Sequence, residues 1–296
     1  MKKLFITAAA MLAFVVGNAQ LVTVNSIDRV GDVTCAKVTM SPDGEYVVAN
    51  TGSSLNRVNI ADGQSTVLTT GANLTGVTIG ADGTVAYVRP SFDKKHLRHV
   101  SLEAITPAGQ QVVVVKPTRQ LGAGVTVANG TVNGIAKGKA QAKAVNGGKT
   151  VKAPVAAINY GHLDVTVDGK TRTIDPQGRG SYLWPSVSPD GTKVCYWLVG
   201  RGCFTCNLDG TDVKSHGPLR AAVWAGDHML VGMDELEDTN QEVVASSIVA
   251  LDPATNTVQK LTDDSIIAQF PSASADGSRI AFTDIHGQVY VINITK

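Results

Sequence analysis

A chain of 296 residues with 26 basic and 25 acidic side chains carries a formal charge of +1, and 43% of it is hydrophobic. That near-neutral balance excludes a bulk electrostatic attraction to nucleic acid or to an anionic membrane surface. Glycine is abundant, at 30 residues, and aromatics are scarce, at 5%, which suits many tight turns between closely packed β-branched strands.

From the N-terminus, Lys2 and Lys3 form a positive start, Leu4 to Val16 an apolar run, and Gly17-Asn18-Ala19 a small-residue cleavage site. This is the pattern of an export signal over residues 1–19, with the mature chain beginning near Gln20 or Leu21. Removing Lys2 and Lys3 leaves 26 − 2 = 24 basic against 25 acidic residues, a net charge of about −1. No later stretch approaches the roughly 20 apolar residues of a membrane-spanning helix. The first cysteine is Cys35, so a lipid anchor on a new N-terminal cysteine is not expected. The expected location is the periplasm, with the cell surface or the medium as alternatives. Residues 20–296 are expected to form a single domain, because a repeat runs through them.

That repeat is an Asp-Gly pair between short apolar runs, at Met40-Ser41-Pro42-Asp43-Gly44, Ile79-Gly80-Ala81-Asp82-Gly83, Val187-Ser188-Pro189-Asp190-Gly191 and Ala273-Ser274-Ala275-Asp276-Gly277. The pair is expected to supply the positive-φ residues of a tight hairpin turn. Six units follow in chain order, each laid out as a four-stranded antiparallel blade. Leu21 to Ser26 precedes them. Unit one runs from about Cys35 to Leu68 and unit two from Leu74 to Val115. Unit three replaces Asp-Gly with Asn129-Gly130, closes with Leu163 to Ile174, and carries an insertion, Ala136 to Tyr160, with five lysines (Lys137, Lys139, Lys143, Lys149, Lys152) and no acid. Unit four, Trp184 to Ser215, has strands at Val194–Val199 and Cys203–Leu208 around Gly200-Arg201. Unit five swaps the pair to Gly226-Asp227 and has strands at Met229–Met233 and Ile248–Leu251. Unit six lacks a fourth strand, which Leu21 to Ser26 could supply, closing the ring and removing a free edge.

The segments Phe270-Pro271-Ser272-Ala273-Ser274-Ala275-Asp276-Gly277 and Trp184-Pro185-Ser186-Val187-Ser188-Pro189-Asp190-Gly191, with the ending Gln259-Lys260-Leu261-Thr262, resemble the TolB-type β-propeller repeat. The resemblance implies an all-β, six-bladed β-propeller of exported bacterial type, its ring closed by the N-terminal strand. It carries no single activity, because propellers of this type serve as binding platforms, in envelope assemblies and beside hydrolase domains.

In such a meander the first and third turns of each blade lie on one face, and the second turns and inter-blade links lie on the other. The Asp-Gly hairpins thus share a constant face. Opposite, on a variable face, fall Arg89, Asp93, Lys94, Lys95 and His96 in unit two, Asp234, Glu235, Glu237 and Asp238 in unit five, and His286 in unit six. Basic and acidic loops across the ring polarise this face, and these residues are the expected binding site.

No catalytic or metal-binding pattern accompanies them. Gly147-Gly148-Lys149-Thr150 lacks the first glycine and the strand-to-helix setting of a phosphate loop. His96 and His99, three apart on a strand, point to opposite faces. His162, His216, His228 and His286 are scattered, and each is expected at the surface or in a loop. The acids around Asp234 miss the calcium-loop spacing, and no nucleophile elbow occurs. If Gly200-Arg201 is a two-residue turn, Cys195 lies opposite Cys206, and an oxidising destination would favour a disulfide there, with buried free thiols as the competing reading. The expected function is a monomeric, non-enzymatic platform for an envelope protein or peptide, without cofactor or metal. The alternative is a ligand-binding protein or enzyme with a site at the mouth of the central channel, using Arg89, His96, Asp234, Glu237 or His286.

Overall fold

The computed structural model describes residues 20–296; the export signal expected over 1–19 lies outside them. After strand β1 (Thr23–Thr34), blade one comprises β2 (Lys37–Met40), β3 (Tyr46–Asn50), β4 (Ser54–Asn59) and β5 (Ser65–Thr70). Blade two comprises β6 (Thr75–Ile79), β7 (Val85–Phe92), β8 (Arg98–Ile105) and β9 (Gln111–Thr118). Blade three holds six strands, β10 (Leu121–Ala128), β11 (Thr131–Ala136), β12 (Lys139–Ala144), β13 (Val155–Asn159), β14 (His162–Val167) and β15 (Lys170–Thr173). Blade four comprises β16 (Tyr182–Val187), β17 (Lys193–Leu198), β18 (Gly202–Asn207) and β19 (Lys214–Ser215). Blade five comprises β20 (Arg220–Ala225), β21 (Met229–Glu237), β22 (Val243–Asp252) and β23 (Thr257–Lys260). Blade six comprises β24 (Ala268–Ala273), β25 (Arg279–Asp284) and β26 (Gln288–Thr295), with β1 as its outermost strand. The chain is an all-β, six-bladed propeller, and its core lies between blades, where the apolar faces of neighbouring sheets meet.

The Asp-Gly hairpins are built by a side-chain box that the sequence reading did not foresee. Ser188 Oγ donates to Asp190 Oδ1 at 2.5 Å and accepts from the Lys193 N–H at 2.9 Å, while Asp190 Oδ1 accepts from the Thr192 N–H at 3.0 Å. Ser41 with Asp43 and Ser274 with Asp276 repeat the pattern, and all three serines are buried. Only the glycine of each pair takes a positive φ (Gly44 74°, Gly191 70°, Gly277 74°). The aspartate acts through its carboxylate, which satisfies backbone donors that the turn would otherwise strand. Hydrogen bonds, first from the Ser188 hydroxyl and then from Thr192, hold the Asp190 carboxyl below the usual carboxylate range.

Blade three departs from the expected layout. The insertion 136–160 is not a loop: it contains the end of β11, all of β12 and all of β13. Two three-stranded halves, β10–β12 and β13–β15, meet at the single register pair Ala123↔Ile158, where β13 runs antiparallel to β10. The sequence Gly122-Ala123-Gly124 permits that seam. A Cβ on Gly124 would stand 2.0 Å from the Ala156 carbonyl oxygen, and one on Gly122 would stand 3.0 Å from the Ala157 Cβ. Bare backbone is what lets the two strands approach. The reversal begins on the constant face, where Pro154 packs against the Gly191 hairpin. Seven strands in all, β2, β6, β10, β13, β16, β20 and β24, face the axis of this six-bladed ring.

Ring closure follows the expectation but reaches further. β1 begins at Thr23, extends to Thr34 and pairs antiparallel with β26 from Thr23↔Thr295 to Thr34↔Gln288. Ahead of it, the Leu21 and Val22 N–H groups donate to Gln259 Oε1 at 2.7 and 2.9 Å, and Gln259 Nε2 donates back to the Val22 carbonyl at 2.8 Å. One side-chain amide on β23 thereby clamps the start of the chain to blade five.

Candidate functional site

The second turns of blades two, five and six share one frame. Asp93 Oδ1 accepts from the Lys95 and Leu97 N–H groups at 2.8 and 3.0 Å, Asp238 Oδ1 from Asn240 and Glu242 at 2.8 and 2.9 Å, and Asp284 Oδ1 from His286 and Gln288, both at 2.9 Å. The fourth residue of each frame is left-handed: His96 at φ 58°, Gln241 at 65° and Gly287 at 80°. Backbone donors, Leu97 first, hold the Asp93 carboxyl below its usual range. Asp93 and Asp238, expected as binding groups, therefore build the loops on which other residues stand. The shared signal is an aspartate alone, with no common residue after it, so the sequence did not expose it.

Two further expected binding residues have internal roles. Arg89 lies within β7 rather than in a turn. It donates through Nε to Glu103 at 2.9 Å, through Nη1 to the Thr70 carbonyl at 2.9 Å and through Nη2 to Thr69 Oγ1 at 3.0 Å, tying blade two to blade one. The run Asp234 to Glu237 is strand, not loop, because β21 and β22 continue well past the expected ends. Glu235 is largely buried against the Arg220 guanidinium, whose Nη1 also reaches Glu237 Oε1 at 2.5 Å. Burial pushes the Glu235 carboxyl up, whereas Arg220 draws Glu237 down. Lys94, Lys95, His96, Asp234, Glu237 and His286 are exposed on the variable face.

Sequence reasoning missed the apolar groups among them. Phe92 is 67% exposed, Tyr160 76% and Leu236 61%; Leu97, Val199 and Ile285 are also exposed, in second turns of the variable face, as is Val244 at the start of β22. The other exposed large apolar side chains among the described residues, Ile27, Val67, Val113 and Val213, lie on or beside the outermost strands β1, β5, β9 and β19. None occupies an Asp-Gly hairpin of the constant face. The insertion's lysines, by contrast, do not make one basic loop: Lys137 sits in the β11–β12 turn, Lys139 and Lys143 on β12, and Lys152 beside Gly169.

The cysteine expectation is corrected by register. The turn between β17 and β18 has three residues, Val199-Gly200-Arg201, closed by the Arg201 N–H donating to the Leu198 carbonyl at 2.9 Å. Cys195 therefore faces Thr205, and Cys206 faces Val194, on opposite sides of the sheet. All four cysteines are free and buried. Burial pushes the Cys35 thiol up to about 11 and the Cys206 thiol to about 12, which leaves them poor nucleophiles.

His216 is buried, not at the surface as expected. It receives Thr205 Oγ1 at 2.8 Å on Nε2 and contacts Asn256 Oδ1 at 2.6 Å through Nδ1, so it joins β18 to the β22–β23 turn of the next blade. Its alcohol is buried with it, and the relay works as a staple between blades. Burial pulls the imidazole below its usual range.

Along the axis runs a cavity of about 540 Å³. Its inner strands carry hydroxyls at matching positions, Thr39, Thr78, Thr126, Ser186 and Ser272, with Val223 in blade five. Some tie inner strands together: Thr126 Oγ1 donates to the Pro154 carbonyl at 2.8 Å, Thr78 Oγ1 to Val125 at 3.4 Å, and Ser272 Oγ accepts from the Met40 N–H at 2.9 Å. Two residues earlier in the repeat come Lys37, Gly76, Gly124, Trp184, Ala221 and Phe270, of which Gly76, Trp184, Ala221 and Phe270 are left-handed bulges. Among the described residues, no group of three or more His, Cys, Asp or Glu is arranged to hold a metal ion, and no helix is long and apolar enough to cross a membrane.

No family model matches the chain, and no curated protein matches it in sequence. Among solved structures, an oligogalacturonate lyase in complex with manganese is similar over 88% of this chain and 76% of its own, with a TM-score of 0.48 and 16% identity. That likeness concerns the propeller fold, and neither the lyase activity nor the manganese is carried to this chain. It does correct one expectation. The chain was expected not to be an enzyme because it lacks a catalytic motif, but the similar propeller is a lyase, so the missing motif is no ground for excluding an activity.

Proposed function

We propose that this chain is an exported, periplasmic propeller of TolB type that docks an envelope protein or peptide over its variable face, acting as a monomer. The observation that carries the reading is the placing of Phe92, Leu97, Tyr160, Val199, Leu236, Val244 and Ile285 on one face. Large apolar groups standing in water favour a partner that covers them, and aromatic anchors such as Phe92 and Tyr160 are what interfaces use for affinity. The exposed charges between them, Lys94 and Lys95 in blade two and Asp234 and Glu237 in blade five, would orient the partner rather than hold it. The export pattern at the N-terminus supports the compartment. The test is face-selective crosslinking. A photoreactive residue in place of Phe92 or Tyr160 is expected to capture an envelope protein from the source organism, while one in place of Asp62 or Asp209, in hairpins of the constant face, captures none. Equal capture from both faces would sink the proposal.

A further inference from the structure

We propose that the axial channel binds a small organic carboxylate, held by an ion pair with Lys37 and by hydroxyl donation from Thr39, Ser186 and Ser272. The inference does not depend on docking at the variable face.

Among the described residues, Lys37 is the only charged one that lines the cavity. Its ammonium stands over the ring of Phe270 on the neighbouring inner strand, 5.9 Å from the centroid. Among the described residues no carboxylate lies within 4.0 Å of it, although seven lysine or arginine contacts to carboxylates form elsewhere among them. The side chain is exposed to the channel's solvent, and the walls around it pull the amine below the usual lysine range. An ammonium that has an aromatic ring beside it and no counter-charge is free to pair with an anion that enters the channel.

The hydroxyls point the same way. Thr78 and Thr126 spend their protons on neighbouring carbonyls. Ser272 accepts a backbone N–H, which leaves its own proton free, and Thr39 and Ser186 make no side-chain hydrogen bond among the described residues. The channel thus offers one cation and three unused O–H donors, and no Asp or Glu lines it. A site rich in donors and free of acids selects an anion over a cation or a neutral amide. Its volume, about 540 Å³, suits a small molecule. Val77, Val125, Val187 and Val223, one from each of blades two to five, add apolar surface to the lining for a short apolar body. A flat carboxylate bearing a few carbons fits that combination better than a fully hydrophilic oxyanion.

Calorimetric titration of the mature protein with acetate, butyrate and benzoate, against butyramide and butylamine, tests the assignment. At least one carboxylate is expected to bind about ten-fold or more tightly than the matched amide, since one charge-assisted contact is worth that much. The preference should vanish in Lys37→Met and weaken less in Thr39→Val. A second measurement uses only the unaltered protein, so a variant that fails to fold does not blunt the test: the bound carboxylate should slow acylation of Lys37, read by peptide mapping, while Lys94 and Lys95 react as before. Carboxylate and amide binding alike, a preference that survives in Lys37→Met, or no carboxylate that binds or protects Lys37 would each overturn the proposal.

Discussion

The two faces of the disc are made of the same antiparallel turns and are used oppositely. On the constant face, each Ser-x-Asp-Gly hairpin spends its side chains inward: the serine is buried, the carboxylate is occupied by backbone donors, and the glycine supplies the left-handed residue. On the variable face an aspartate again builds the turn, at Asp93, Asp238 and Asp284, but the residues between its acceptor contacts are free to vary and stand in water. The contrast teaches that a carboxylate in a loop can be framework, and that freedom to bind belongs to the side chains it carries.

The largest expected effect falls on the constant face. Gly277 has φ 74°, and a Cβ there would stand 2.7 Å from the Ala225 carbonyl carbon in blade five. Gly277→Val is expected to cost about 3 kcal/mol, from backbone strain plus an immovable clash, read as a drop in denaturation midpoint. A loss near zero would show that the inter-blade fit is loose. Next comes the staple between blades. Burial holds the His216 imidazole below the ordinary histidine value of 6.5. The folded state therefore binds fewer protons than the unfolded one, and stability present above pH 6.5 should fall as the pH is lowered beneath it. The test is a pH series of melting temperatures, and the step around that value should be missing in His216→Gln.

Asp93→Ala should lower the melting temperature by less than either change, because it frees only one exposed hairpin, and it should speed amide exchange at Lys95 and Leu97. Unchanged exchange would mean the frame does not hold the loop. Smallest of all, Phe92→Ser and Leu236→Ser are each expected to move stability by no more than about 0.5 kcal/mol, since both residues stand mostly in water. A large loss from either would show that these groups serve the fold and not a partner. Peptide maps of the unreduced protein should contain no Cys195–Cys206 crosslink.

Blade count and ring closure were legible because their signals are local: an Asp-Gly pair fixes a turn wherever it occurs, and a spare strand at one end answers a missing one at the other. The double blade was not. Its second half runs backwards, turns at Tyr160-Gly161 and Asp168-Gly169, and meets the first half through glycines whose role depends on a neighbour more than thirty residues away. The cysteine pairing failed by one residue, because Gly200-Arg201-Gly202 allows a two- or a three-residue turn and only packing chooses between them. Arg89 and Glu235 were placed in turns for a different cause: a charged letter does not reveal whether its partner lies in solvent or on a neighbouring strand, as Glu103 and Arg220 do. The exposed aromatics went unread because apolar letters near strand ends look like core.

The sixth sheet takes its outer strand from residues 23–34 and its other three from 268–295. Closing so wide a separation is entropically dear, and it can happen only after nearly the whole sequence has been made. Until then the earlier sheets form an open arc with a bare edge at each end. Such a polypeptide stays threadable throughout its synthesis and becomes a sealed disc in one late step.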